Sequence, residues 1–334
     1  MSFDCARQAG ANTLPIGVRF AGKWRGGSYV ALRLVGSGAN GSVYLAERGG
    51  ERVAVKVADN PTALSLEYDR LLRFAQDGGG RAIGPRCIEL DDTVIGGVKR
   101  FFLAMEYIDG MPLDAFIRLR GPEWIAVCLV NMLDLLELLH SRGYIFGDVK
   151  PANILVQNDA GDVRLVDFGG VAPVGQSVKE FTEAYDRAWW AFGSRRADVR
   201  YDLTACALLG LQLAAPLCKA DLERLSCLRP VDRAAWLRKH AARAAATGDG
   251  PIAEVVAVMD GEVRDLDEFR RRLSRTAGQR RQVSADGMAR LGRRGGGREG
   301  RRRRRRAWDR TDWGLLAAVA VFAATLVTVL WFGV

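Results

Sequence analysis

The stretch GYIFGDVKPANILV, residues 143–156, constrains the fold most, because it places polar functional groups between two segments that favour burial. The apolar runs on either side predict two short strands, and Asp148, Lys150 and Asn153 lie in the loop between them. One interpretation is a simple turn cluster, since Asp, Pro and Asn favour turns. The other is a loop that aims several polar side chains at one point, because the separation of Asp148 and Asn153 across Pro151 lets both face it.

Strand patterns come first along the chain, and helical patterns follow. Residues 29–58 alternate as strands do and contain two turns, which predicts a three-stranded antiparallel meander. Apolar residues recur at helical spacing over 62–75, 122–143 and 201–215, while 163–171 predicts another strand that runs into a turn. This order predicts an α+β fold with its sheet at the amino-terminal end.

A glycine-rich motif of the form G-x-G-x-x-G-x-V joins two of these strands, and its members are Gly36, Gly38, Gly41 and Val43. The same glycine spacing occurs in dinucleotide-binding folds, but there the motif opens a helix. A glycine hairpin can bring backbone N–H groups over phosphates, because no side chain blocks close approach. Lys56 follows among valines, where its charge is costly unless anionic groups such as Glu67 or phosphates meet it.

Together these motifs resemble the eukaryotic-like protein kinase family, over roughly residues 29–215. The resemblance implies a two-lobed protein-kinase-like fold, with an antiparallel β-sheet in the N-lobe and a mainly helical C-lobe. It places the catalytic domain at about 15–275, with the N-lobe at about 15–107 and the C-lobe at about 110–275.

The resemblance also implies an ATP site between the lobes. The glycine-rich motif would cover the phosphates, Lys56 would hold them, and Glu67 would pair with Lys56. Asp69 is a second candidate for that partner, since helix surfaces carry acids routinely. The hinge residues that would contact adenine are Met105, Glu106 and Ile108.

The catalytic-loop residues resemble the family pattern as well. Asp148 resembles the aspartate that accepts the proton of the attacking hydroxyl, and Lys150 resembles the neighbouring phosphate contact. Asn153 and Asp167, the latter in a DFG sequence, resemble the Mg2+ ligands, which are hard oxygen donors. Asp202 is similar to the buried aspartate that holds the catalytic loop from below.

Two departures from the family pattern bear on the acceptor rather than on the nucleotide. The family's His-Arg-Asp is Phe146-Gly147-Asp148 here, which removes the cation that would bind a phosphorylated activation loop. No Ala-Pro-Glu follows the DFG sequence, and Trp189 stands near the place of its glutamate. The helical part after residue 215 has no clear pattern.

These observations predict ATP- and Mg2+-dependent phosphoryl transfer to Ser/Thr hydroxyls of protein substrates, including autophosphorylation. Two alternatives remain open. The missing glutamate of the docking segment favours a small-molecule kinase of the same fold. The altered catalytic triplet favours a nucleotide-binding pseudokinase that acts as a scaffold.

The carboxyl-terminal stretch Trp313–Val334 contains no charged residue and is long enough to span the hydrocarbon core as a helix. A buried core helix is the alternative interpretation. The preceding Gly/Arg-rich linker, residues 276–312, predicts a cytoplasmic flank that contacts anionic lipids. The expected location is therefore the cytoplasmic membrane, single-pass, with the kinase domain and N-terminus in the cytosol.

The charge and cysteine patterns exclude other classes of protein. Arginines clustered between residues 270 and 310 account for the net charge of +10, so the catalytic body is not basic and binding to nucleic acid is not expected. The six cysteines are scattered without C-x-x-C spacing, which indicates reduced thiols rather than a disulfide framework or a metal site.

Overall fold

The computed structural model describes residues 14–38, 41–75, 82–247 and 250–278. The predicted membrane helix, residues 313–334, lies outside the described residues, as does the predicted linker 276–312 apart from its first three residues. Within the described part of the chain, no helix combines the length and the apolar character needed to cross a membrane.

An antiparallel six-stranded sheet, in the order β1-β2-β3-β4-β6-β5, forms the amino-terminal lobe. Its strands are β1 (Arg19–Ala21), β2 (Ser28–Gly38), β3 (Gly41–Arg48), β4 (Glu51–Ala58), β5 (Cys87–Ile95) and β6 (Val98–Glu106). The predicted meander corresponds to β2, β3 and β4. Strand β5 was not predicted, because buried acidic residues interrupt its apolar pattern: Glu89, Asp91 and Asp92.

Helix α1 (Pro61–Ala75) packs against the inner side of this sheet. Leu64, Leu71 and Phe74 are buried on one of its faces, as their helical spacing predicts. Glu67 is buried on the same side, whereas Arg73 is exposed. The helix therefore directs one carboxylate inward and leaves Asp69 and Arg73 exposed to solvent.

The carboxyl-terminal lobe is mainly helical. Its helices are α2 (Leu113–Arg120), α3 (Trp124–His140), α4 (Val199–Ala214), α5 (Lys219–Ser226), α6 (Pro230–Thr247), α7 (Ile252–Met259) and α8 (residues 266–278). The described residues after 215 are thus mainly helical, although their sequence shows no clear pattern. Helix α8 continues three residues past the predicted domain end at 275.

Helices α3 and α4 form the centre of this lobe. Most residues of both helices are buried, and Gly210 of α4 brings the two together: a β-carbon there would lie 3.0 Å from Leu129. Helix α3 ends at His140, and Gly143, at a φ of 77°, turns the chain toward the following strand. This turn places residues 143–156 on the side of the carboxyl-terminal lobe that faces the amino-terminal sheet.

Short strand pairs hold the two polar loops of the cleft. The strands are β7 (Met111–Pro112), β8 (Tyr144–Ile145), β9 (Ile154–Val156), β10 (Val163–Leu165) and β11 (Ala172–Pro173). The catalytic loop, residues 146–153, lies between β8 and β9, and the turn of residues 166–171 lies between β10 and β11. Because β8 pairs with β11 and β9 pairs with β10, the two loops lie side by side.

Asp202 of α4 anchors the catalytic loop from below. Its carboxylate accepts the backbone N–H groups of Phe146 at 2.7 Å and Gly147 at 2.9 Å, and it lies 2.8 Å from His140 Nε2. The fully buried carboxylate thereby gains the polar partners that a charge in this position requires. This contact is the one that the family resemblance predicts for Asp202.

Gly147 stands at a position where the backbone favours glycine. Its φ is 82°, and a β-carbon there would lie 2.5 Å from the carbonyl oxygen of Gly170. The catalytic loop and the turn after β10 therefore approach each other closely without a side chain between them. The glycine that replaces the family's arginine removes a cation and also relieves this crowding.

Candidate active site

Lys56 on β4 connects α1 with the turn after β10. Its ammonium lies 2.7 Å from Glu67 Oε2 and 2.8 Å from Asp167 Oδ1. Lys56 and Glu67 are both buried, whereas the side chain of Asp167 is 34% exposed. The structure therefore brings together the predicted phosphate lysine, its predicted partner and a predicted metal ligand. Glu67, rather than the exposed Asp69, is the acid that meets Lys56.

The charges of these three groups depend on one another. Burial opposes the charge on Lys56, but Glu67 and Asp167 outweigh burial and raise the pKa of Lys56. Burial would also raise the pKa of Asp167, yet Lys56 and Lys150 lower it, so this carboxyl group stays ionised. Burial raises the pKa of Glu67 more than Lys56 lowers it. Lys56 contacts both carboxyl groups. Of the two, Asp167 has the lowered pKa and therefore favours the ionised form more strongly than Glu67 does.

The catalytic loop forms a second group of contacts. Lys150 Nζ lies 2.5 Å from Asp148 Oδ2, while Asn153 Nδ2 donates to the Asp148 carbonyl at 3.0 Å and to its Oδ2 at 3.1 Å. Asp148 and Asn153 are buried, as a site that excludes water requires. The three residues whose spacing suggested either a turn or a functional loop are therefore in direct contact. Their contacts define one site.

The donor set suits a magnesium ion bound together with phosphates. Asn153 directs its amide nitrogen at Asp148, which leaves the Asn153 Oδ1 as an acceptor. The Asp167 carboxylate accepts from Lys56 and from the Gly169 N–H through its Oδ1. Within the described residues, no three His, Cys, Asp or Glu side chains gather as a metal cluster. Magnesium commonly completes its coordination with phosphate oxygens and water, so two protein ligands are compatible with it. The roles of Asn153 and Asp167 remain predictions.

The glycine-rich motif lies on β2 and β3, above Lys56 in the sheet. Gly41 has a φ of 118°, and a β-carbon there would lie 2.3 Å from the Val57 carbonyl oxygen, so close packing of two strands explains this glycine. Apart from their own chain neighbours, no atom of the described residues lies within 4 Å of the missing β-carbons of Gly36 and Gly38. Packing does not explain these two glycines, whereas the predicted approach of a phosphate would.

The predicted adenine side of the cleft is formed by β3, β4 and the end of β6. Val43 is opposite Lys56 in the β3–β4 register, and Met105 is opposite Ala54 in the β4–β6 register. Met105 and Ile108 are buried, and Glu106 accepts the backbone N–H of Arg86 and a bond from Arg164. The side chain of Glu106 therefore stabilises the hinge, and adenine recognition stays a prediction for its backbone.

The sequence interpretation did not identify Ala54. It singled out Thr182 for its resemblance to the family's substrate-positioning stretch, but not the contact of Thr182 with Asp148. Ala54 lies two residues before Lys56, so it shares the inner face of β4, and the period of two in VAVKVA could have identified it. Thr182 donates its hydroxyl to Asp148 Oδ1 at 3.2 Å. The contact joins residues 34 positions apart, and no local pattern reveals it.

We call Lys56, Glu67, Asp148, Asn153 and Asp167 the phosphate side of the site, and residues 182–198 with their buried partners the acceptor side. On the acceptor side, Arg187 donates to both carboxylate oxygens of Asp198, at 2.7 and 2.8 Å. Asp186 accepts from the Tyr201 hydroxyl at 2.9 Å and from Arg195 Nε at 2.8 Å. These bonds hold the segment in place without the family's glutamate.

The position of that glutamate is occupied by an aromatic contact. Arg233 of α6 is buried, and its guanidinium lies 4.4 Å from the centroid of the Trp189 ring. Its Nε donates to the Trp189 carbonyl at 2.8 Å, and Nη1 donates to Leu228 at 3.0 Å. The helical lobe thus binds the acceptor side through an arginine, a tryptophan face and two carbonyl groups.

Comparison with known proteins agrees with this geometry. Residues 29–193 match the family model of the protein kinase domain. Serine/threonine-protein kinase YabT of Bacillus subtilis is 39% identical over 201 residues, which cover 60% of this chain and 59% of that protein. Serine/threonine-protein kinase PknD of Mycobacterium tuberculosis is 34% identical over 225 residues, covering 62% of this chain and 33% of that protein.

A solved structure shows the same fold at low sequence identity. The structure of vaccinia related kinase 3 superposes with a TM-score of 0.57 at 15% identity, and the match covers 83% of this chain and 94% of that chain. The predicted two-lobed fold is thereby confirmed for the described residues. The chain spans 59% of the length of YabT and 33% of the length of PknD.

Proposed function

We propose that this chain is a serine/threonine-protein kinase that transfers the γ-phosphoryl group of ATP to hydroxyl groups of protein substrates, itself included. The observation that carries the proposal is the convergence of Lys56 from the sheet with Asp148, Asn153 and Asp167 from the two loops of the helical lobe. The relatives named above are serine/threonine-protein kinases, which supports a protein acceptor over a small metabolite.

The proposed reaction forms a bond between the acceptor hydroxyl oxygen and the γ-phosphorus and breaks the bond to the oxygen that bridges the β- and γ-phosphates. ADP leaves with that oxygen, and the hydroxyl proton passes to Asp148. Asp148 already accepts a bond from the Thr182 hydroxyl, so its carboxylate is accessible to an alcohol. Lys150, 2.5 Å from the same carboxylate, supplies positive charge beside the transferred group.

Asn153 and Asp167 would hold magnesium, which neutralises charge that builds up on the phosphate oxygens during transfer. Lys56 would hold the phosphates, and Glu67 keeps its ammonium in place. The glycines of β2 and β3 would close over the triphosphate, while Val43, Met105 and the backbone of Glu106 to Ile108 would enclose adenine. Each residue thus binds, orients or accepts a proton.

The test is transfer of labelled phosphate from ATP by the purified full chain, with a generic basic protein as acceptor. We expect Asp148→Asn to lower kcat by roughly 10²- to 10⁴-fold, the usual contribution of a positioned general base, with ATP affinity retained. Lys56→Met and Asp167→Ala should weaken nucleotide binding as well. Asp159→Asn, which changes an exposed carboxylate, is the matched control.

Three outcomes of this assay separate the alternatives. Labelling of protein by wild type but not by Asp148→Asn supports the proposal. ATP turnover that requires an added metabolite, without labelled protein, would instead indicate a small-molecule kinase. Tight ATP binding with no turnover at all would identify a pseudokinase that acts as a scaffold.

We also propose that residues 313–334 anchor the chain in the cytoplasmic membrane, with the kinase domain and the N-terminus in the cytosol. The uncharged sequence and its arginine-rich flank support this topology, and the same arginines suit anionic lipid headgroups. Fractionation of cells that express the full chain is the test. Recovery in the membrane fraction after alkaline washing is expected, and release of the protein by that wash would contradict the proposal.

A further inference from the structure

Arg70 joins helix α1 directly to the turn after β10. Its Nη1 donates to the Phe168 carbonyl at 3.1 Å and also to the carbonyl of Gly169. Arg70 lies three residues after Glu67, so both side chains leave the same side of the helix. The helix therefore holds the turn at two points: Glu67 acts through Lys56, and Arg70 acts on the backbone itself.

The turn depends on such support because Asp167 has an unfavourable backbone conformation. Its φ of 63° and ψ of 82° lie in the left-handed region, which costs a residue with a side chain of order 1–3 kcal/mol unless its surroundings hold it. Among the described residues, Ala191 is the only other non-glycine residue with a positive φ. Arg70 binds the carbonyls of the two residues that follow Asp167, so it holds the backbone directly beside this strained residue.

Glu180, thirteen residues after Asp167, packs against the same turn from the other direction. A β-carbon on Gly169 would lie 2.9 Å from Glu180 Oε2, so the carboxylate rests on the backbone that Arg70 binds. Burial and Asp167 raise the pKa of Glu180, while Lys56 and Arg70 act in the opposite direction. Glu180 thus places a carboxyl group, whose pKa is raised overall, beside the backbone that Arg70 binds.

The catalytic loop has no arginine at the position where the family carries one. Gly147 stands at the position of the family's arginine, and the close approach of Gly170 leaves no room for a β-carbon there. Arg70 provides a cation from the helix instead. Glu180 provides a carboxyl group beside the turn, and this group is encoded in the sequence and needs no modification.

We propose that Arg70 and Glu180 are positioning residues that hold the turn of Asp167, Phe168 and Gly169 in its ligand-binding conformation without phosphorylation of the segment 170–198. The inference rests on the proposed kinase function, because the turn carries a predicted metal ligand of that reaction. It predicts that the unmodified protein is active at once. Loss of either group would disturb the turn while the ATP-binding residues of the sheet remain intact.

The first experiment compares Arg70→Met with Arg73→Met in the full chain. Both variants remove an arginine from α1, but Arg73 is exposed. Loss of hydrogen bonds from a charged group to two carbonyls should lower kcat roughly 10- to 100-fold in Arg70→Met, with Arg73→Met close to wild type. Arg70→Lys, which keeps the charge and can still donate, should recover part of that loss.

A binding measurement separates positioning from general damage. The affinity for ATP is measured by calorimetry with and without Mg2+, beside the thermal unfolding midpoint. We expect Arg70→Met to retain metal-free ATP affinity and to lose most of the gain that Mg2+ gives to wild type. Equal losses with and without Mg2+, or a collapse of the unfolding midpoint in Arg70→Lys as well, would show a merely structural role and overturn the inference.

The second experiment concerns phosphorylation. Wild-type protein is treated with phosphatase, shown by mass spectrometry to carry no phosphate, and assayed from the first seconds. A linear time course is expected, together with a several-fold loss of rate in Glu180→Gln and little change in Glu262→Gln, which alters an exposed glutamate outside the site. A lag that ends as residues of the segment 170–198 become phosphorylated would overturn the inference.

These outcomes are distinct from failure of the proposed function. If wild type labels no protein under any condition, the kinase proposal fails. If wild type is active but Arg70→Met matches Arg73→Met, the kinase proposal stands and only the positioning role is lost.

Discussion

The phosphate side and the acceptor side of the site are built on different principles. On the phosphate side, side chains contact one another around the space for a ligand: Lys56 meets Glu67 and Asp167, and Asn153 meets Asp148. On the acceptor side, charged side chains bind mainly the backbone and each other, as Arg187 binds Asp198 and the carbonyl groups of Ser194 and Arg196.

This difference teaches which residues a sequence can reveal. A triphosphate and its metal demand particular groups, namely ammonium, carboxylate and amide, so the phosphate side admits few solutions. A loop needs only that its polar groups be satisfied, and many side chains can do that. The acceptor side has therefore replaced a glutamate by Trp189 and Arg233 without losing its anchorage.

Asp202→Ala should produce the largest loss of stability. The change leaves the backbone N–H groups of Phe146 and Gly147 without the carboxylate that now accepts both, so the free energy of unfolding should fall by about 3 kcal/mol. Urea unfolding followed by circular dichroism measures the loss. Asp202→Asn, which keeps one acceptor oxygen, should lose less, and Asp159→Ala should be neutral. Equal stability of all variants would refute the anchoring role of Asp202.

Glu67→Gln tests whether Glu67, rather than the alternative candidate Asp69, is the functional partner of Lys56. The variant keeps a hydrogen bond to Lys56 but removes the charge, so kcat/KM for ATP should fall roughly 10-fold or more. Asp69→Asn, on the exposed side of the same helix, should behave as wild type in steady-state kinetics. If the two variants lose activity equally, the pairing of Lys56 with Glu67 does not contribute to turnover.

Arg233→Met tests the acceptor side. Its loss removes bonds to the carbonyls of Trp189 and Leu228, which should cost about 1–2 kcal/mol of stability. If the two sides are separable, KM for the protein acceptor should rise several-fold while KM for ATP stays unchanged. A parallel rise of both KM values would show that the acceptor side and the phosphate side do not act independently.

A smaller effect should appear in the dependence of stability on pH. Burial alone would raise the pKa of Asp198, but Arg187 outweighs it and lowers the pKa below its ordinary value of 3.8. Because the folded-state pKa is depressed, the ionised group stabilises the fold above the unfolded pKa, and this contribution is lost as pH falls through the folded value. Unfolding of wild type and Asp198→Asn, compared between pH 7 and pH 3, should show a difference that shrinks toward acid. A difference that grows toward acid would contradict the assignment.

Much of the phosphate side could be predicted from the sequence, and the reason lies in its spacing. Asp148, Lys150 and Asn153 fall within six residues, and Lys56 is a lone charge in an apolar strand, so local patterns revealed them. The assignment of Glu67 over Asp69 followed from the resemblance, and burial now distinguishes the two. Their catalytic roles remain predictions until the variants are measured.

The remaining features depend on contacts between distant parts of the chain. Arg70 binds carbonyl groups 98 and 99 residues away, and Arg233 reaches across 44 residues to Trp189. Backbone carbonyls are present in every residue, so no residue type marks them as partners. The edge strand β5 was not predicted for a different reason. Its buried Asp91 accepts hydrogen bonds from the backbone of Trp24 and Arg25, so the strand lacks an apolar pattern.

The position of Lys56 has a further consequence. Its ammonium joins a carboxylate of each lobe, Glu67 and Asp167, so protein groups alone hold the side chain in place. A triphosphate that binds would replace a carboxylate as a partner of Lys56. Because the Lys56 side chain is already ordered, it loses little conformational entropy on binding. The affinity for a nucleotide would thus depend on how well its phosphate oxygens compete with the Glu67 and Asp167 carboxylates for the Lys56 ammonium.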